Sequence, residues 1–153
     1  MNINPIGNNY NLNSSGGSVP TFQTVLTNMS NDNNLTQYGS LTTQFQNSLQ
    51  QSFQTFASSN PNGNLTDWIS NGNLKSIVTD LMNKQSSVNE KFQCFRLVDT
   101  VLWSDMNVNY GTNFSEVIDQ VQVDYDSYLS SGNTQFFDTA LSSFLNQLST
   151  PTQ

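Results

Sequence analysis

Apolar side chains return every three or four residues through most of the chain after Pro20, the spacing of helices laid on a core. Phe22, Val25, Leu26 and Met29 predict a short helix over 20–29. Tyr38, Leu41, Phe45, Leu49, Phe53 and Phe56 form a single stripe, which predicts a second helix from about Leu35 to Ser58. "NPNGNL" then reads as a turn, and "LTDWIS" as a helical turn or two interrupted by "NGN" at 71–73. Leu74, Ile77, Val78 and Leu81 face inward along a helix through "LKSIVTDLMNK".

The clearest start signal is "SVNE", Ser87 to Glu90, which reads as a capping box. Behind it, eight of the twelve residues in "FQCFRLVDTVLW" (92–103) are apolar and cover more than one face, marking the most buried helix. A further helix begins near Asn113, carries Val117, Val121, Tyr125 and Tyr128 inward, and stops at Gly132. The last runs from about Thr134 to Leu148 on Phe137, Leu141, Phe144 and Leu148. No segment alternates with period two for long. The pattern predicts an all-α, single-domain bundle of five or six helices over 19–150, preceded by a disordered tail over 1–18 whose Asn, Gly and Ser show no period.

The polar positions raise the functional question. Opposite its apolar stripe, the second helix carries Ser40, Thr43, Gln44, Asn47, Gln51 and Gln54, with no ionised side chain among them. Amides both donate and accept hydrogen bonds, and burying them against a partner avoids the desolvation cost of ions. These six residues are therefore the candidate partner-contact surface, although an Asn- and Ser-rich composition alone yields the same face.

Composition and charge narrow the function classes. Leu, Ile, Val and Phe total 39 of 153 residues, enough for a core, while only two alanines are present. Asn (23), Ser (21) and Thr (15) favour caps over helix interiors, so the helices must be held by packing more than by propensity. Residues 1–66 contain one charge, Asp32; all four bases, Lys75, Lys84, Lys91 and Arg96, fall within 75–96; from 97 onward there are seven acids and no base. A net charge of −7 argues against nucleic acid and anionic membranes as partners. No run is apolar and long enough to span a bilayer, and the N-terminus lacks the basic start and apolar stretch of a cleaved signal peptide.

Candidate chemistry is sparse. With no His, Ser–His and Cys–His nucleophile systems are impossible. The single Cys94 lies among Phe92, Phe95 and Val98 and reads as buried and inert. Glu116, Asp119, Asp124 and Asp126 form an acidic cluster without the order of a calcium-binding loop. Asp99 and Asp105 are conceivable as an acid–base pair, but Asp99 fits better beside Arg96 or Lys91 along one helix. Five Asn-X-Ser/Thr sequons match the number chance provides at this composition. No cofactor, metal or small-molecule ligand is expected.

The first twenty residues, "MNINPIGNNYNLNSSGGSVP", resemble the N-terminal export signals of bacterial type III secreted proteins, which are uncharged and rich in Asn, Ser and Ile. That resemblance implies an uncleaved signal and passage through a narrow channel in an unfolded state. The composition is also similar to harpins, from which the chain departs by Cys94, seventeen aromatics and the lack of Gly-rich blocks. The leading expectation is a non-enzymatic, exported helical effector or accessory factor that acts through protein–protein contacts. A self-assembling subunit of an extracellular filament or coat is the alternative, and an enzyme of unknown type stands behind both. If the protein is not secreted, the cytoplasm is the expected location.

Overall fold

The computed structural model describes residues 19–151, and the expected tail over 1–18 lies outside them. The described residues form an all-helical bundle with no strand, so the fold class is as the pattern predicts. The seven α-helices are α1 (Phe22–Asn31), α2 (Ser40–Ser59), α3 (Leu65–Ser70), α4 (Asn73–Asn83), α5 (Val88–Thr100), α6 (Thr112–Ser131) and α7 (Gln135–Gln147). A 3₁₀ segment, Asn33–Tyr38, precedes α2, and a π-helical segment, Val101–Asp105, prolongs α5. The expected five or six helices are therefore too few.

One extra break falls inside the helix expected over 35–58. Gly39 takes φ 57° and ψ −130°, a left-handed backbone that ends the 3₁₀ segment and lets α2 start in a new direction. Thr42 Oγ1 donates across the break to Leu35 O at 2.8 Å. At the start of α5, Ser87 Oγ accepts from Glu90 N at 3.1 Å, as the capping box requires. The return bond differs from expectation: Glu90 Oε1 accepts from Ser86 N and Ser86 Oγ, one residue earlier. A complete box, unread in the sequence, opens α3, where Asn64 and Asp67 each accept from the other's backbone N–H.

The buried side chains form one continuous cluster drawn from every helix. α2 packs against α1, α4 and α5, while α7 packs on α4 and along α6. Aromatics join the layers. Phe53 stacks on Phe22 at 4.6 Å and meets Trp68 edge-on at 4.8 Å, and Trp68 Nε1 donates to Ser52 Oγ. Phe92 lies flat on Tyr125 at 3.8 Å, and Phe95 meets Phe144 edge-on at 4.9 Å, fastening the α6–α7 hairpin to α5. Each such pair contributes about 0.5–1.5 kcal/mol beyond its buried area, which offsets the weak helix propensity of the sequence. On α6 the fully buried row is Phe114, Ile118 and Val121. The expected inward Val117, Tyr125 and Tyr128 are half-buried, because α6 lies at the margin of the bundle.

Candidate functional site

The α2 flank is where the stripe places it. Ser40, Thr43, Gln44, Asn47 and Gln51 are exposed, and Ser48, Thr55 and Ser58 extend the same uncharged surface. Gln54 is the exception: it is half-buried, and its Nε2 is shielded from water. It belongs to the shoulder of the core more than to the wet flank.

The flank is not ion-free at its beginning. Ser40 and Gln44 form one side of a cleft of about 410 Å³ whose other side is Lys84, Gln85, Glu90 and Gln93 from the ends of α4 and α5. Ser86 and Ser87 donate to the Glu90 carboxylate and hold its pKa below the usual glutamate value. Thr43 borders a smaller cleft of about 220 Å³ that also contains Asp32 and Gln46. Asn47 and Gln51 lie beyond both clefts and form the open middle of the surface.

Gln46, one position from Phe45, is a polar residue inside the core, at 2% exposure. Its Nε2 donates to Ser30 Oγ at 3.0 Å and to Leu26 O at 3.3 Å, so it stitches α2 to α1. The two sides of α2 thus use the same chemical group differently, as an internal tie and as an open surface.

The carboxylates pair in a way the sequence does not suggest. Asp105 is brought to Asp32, with which it shares a hydrogen bond, and not to Asp99. The π-helical turn positions it: Met106 N donates to Val101 O at 2.8 Å, five residues back, and Asn28 Nδ2 donates to Asp105 O. Asp105 is 3% exposed, and its pKa is pushed up to about 7, first by desolvation and then by Asp32. Oδ2 of each aspartate is buried without a protein donor, so a proton on Asp105 supplies the donor that two acceptor-only carboxylates lack. Asp105 lies behind the wall of the small cleft rather than on it.

Asp99 sits apart. Desolvation raises its pKa, opposed by a hydrogen bond with the Trp103 indole and by the charge of Arg96, whose guanidinium lies 5.9 Å from the Phe92 ring centre. Cys94 is enclosed, and desolvation pushes its pKa up to about 12, so the thiolate needed for reactivity is absent near neutral pH. Among the described residues, no group of three or more His, Cys, Asp or Glu side chains could hold a metal ion. Glu116 and Asp124 of the acidic cluster line a channel between α6 and α7.

Among the described residues no helix is long and apolar enough to cross a membrane. Comparison of the chain with protein-family models, curated proteins and solved structures finds no match.

Proposed function

We propose that the protein is non-enzymatic and acts through contacts with another polypeptide, made by the uncharged flank of α2. The observation that carries this reading is that α2 exposes Thr43, Gln44, Asn47, Gln51 and Thr55 along its length without one ionised group. A twenty-residue helix extends about 30 Å, long enough for a lateral contact. Placing Glu at the middle of this surface forces a partner to bury a charge. The double variant Asn47→Glu/Gln51→Glu is expected to weaken association at least about tenfold, or about 1.4 kcal/mol. Analytical ultracentrifugation across protein and salt concentration reads this for self-association, and titration against the cognate binder reads it for a foreign partner. Wild-type association should persist in high salt, since amides and hydroxyls make the contact. Association that survives the double variant unchanged would falsify the assignment.

The uncharged first twenty residues support export through a bacterial secretion channel, with the partner outside the producing cell. Helices that depend on packing suit transit in an unfolded state. A reporter fused to residues 1–20 is expected to appear in the medium of a secretion-competent host. Retention of that fusion removes the support for export and leaves the contact reading intact.

A further inference from the structure

Nine of the ten phenylalanines are buried, and the tenth, Phe136, is 62% exposed. It stands at one end of an open channel of about 540 Å³ between α6 and α7. Val117 and Ala140 give the channel its apolar floor, while Glu116, Gln120 and Asp124 form the α6 wall. The lining residues recur at three- and four-residue steps on both helices, so the channel runs along their axes. From Asn113 to Asp124 it extends about 16 Å, roughly three turns of a docked helix. Its walls are helices whose backbone groups are already paired, so it offers no edge to which an extended strand could add.

Charge selects the occupant. α6 and α7 carry Glu116, Asp119, Asp124, Asp126 and Asp138 and no base. A second copy docking through this channel would bring two acidic hairpins together, each on a chain of net charge −7. A ligand with Lys or Arg beside an apolar stripe would instead place its stripe over Val117, Ala140 and Phe136 and its cations against Glu116 and Asp124.

We propose that the α6–α7 channel is a docking groove for a basic amphipathic helix of another polypeptide. It is a second surface, separate from the α2 flank and opposite to it in salt response.

The test uses the full chain and a fluorescent peptide of about 14 residues, with Leu and Phe at helical spacing and Lys elsewhere. Anisotropy titration is expected to show binding that weakens as salt is raised. Phe136→Ser should weaken it about tenfold, and Glu116→Gln about threefold. Phe136 is exposed, so its variant should keep the wild-type circular dichroism spectrum. Asn47→Glu/Gln51→Glu should leave peptide affinity unchanged, which separates this groove from the α2 surface. The proposal is overturned if the Lys peptide does not bind, or if a scrambled-order peptide or one with every Lys replaced by Glu binds equally well. Unchanged affinity in Phe136→Ser overturns it too, as does self-association of the chain that Phe136→Ser abolishes, since a second copy would then occupy the channel.

Discussion

Phe95→Ala is expected to lower the unfolding free energy by about 3–5 kcal/mol, read as a fall in the urea midpoint at constant slope. Phe95 is fully enclosed; it stacks on Phe92 at 5.7 Å and meets Phe144 edge-on at 4.9 Å. Removing the ring therefore loses its transfer free energy, leaves a cavity and cuts an aromatic bridge between α5 and the α6–α7 hairpin. Domains of this size have about 5–15 kcal/mol in total, so the loss is a large share. The hairpin should loosen first, with Tyr125 and its stack on Phe92 reporting early in near-ultraviolet circular dichroism. A loss below about 1 kcal/mol would show that the hairpin is fastened by something else.

Asp105→Asn is expected to remove a fall in stability between about pH 4 and 7. In the folded protein Asp105 has a pKa of about 7, against an ordinary value of 3.8. Between those values the folded chain holds a proton that the unfolded chain has released. Stability therefore decreases as pH rises through this window and levels off above it. Three units would amount to about 4 kcal/mol; the effective polarisability of a protein interior around a buried carboxylate reduces the expectation to about 1–2 kcal/mol. Asparagine is close in shape, stays neutral and can donate to Asp32. At pH 8 the variant should thus be the more stable protein by that amount, and at pH 4 the two should converge. Glu90 acts in the opposite sense, since its lowered pKa stabilises the folded state at high pH and fades in acid. Because wild type and variant share Glu90, their difference isolates Asp105. An equal pH slope in both proteins would place its origin outside the Asp32–Asp105 pair.

Local periodicity carries most of the fold. The stripe Phe45, Leu49, Phe53 and Phe56 locates the buried face of α2, and the dense apolar run from Phe92 locates the bundle's centre. Gly39 and the reciprocal Asn64–Asp67 cap were equally visible as local signals, although the stripe masked the first and the shortness of α3 the second. The α2 surface was legible for the same reason as its core: a helix that buries Phe45, Leu49 and Phe53 must turn Asn47 and Gln51 outward. Adjacent Phe136 and Phe137 point about 100° apart, and at the margin of the bundle only Phe137 turns into the core, whereas the adjacent Phe45 and Gln46 of the more enclosed α2 are both buried; the spacing alone does not mark Phe136 as exposed.

The approach of Asp105 to Asp32 was not legible. It depends on a π turn that adds one residue to the end of α5 and on the angle at which α1 crosses it, and neither leaves a mark in hydrophobic spacing. Gln46 lies between these cases. Its position beside Phe45 allows burial, but only the location of Ser30 and Leu26 O on α1 makes burial affordable for an amide.

Cys94 has a practical consequence. Its sulfur is enclosed and protonated in the native protein, and the chain has no other cysteine. Spectroscopic tags can therefore be attached at either surface through Asn47→Cys or Phe136→Cys while the natural thiol remains in place. Distances from the two positions can be followed in an otherwise unaltered molecule, and unwanted modification at residue 94 would reveal that the bundle had opened.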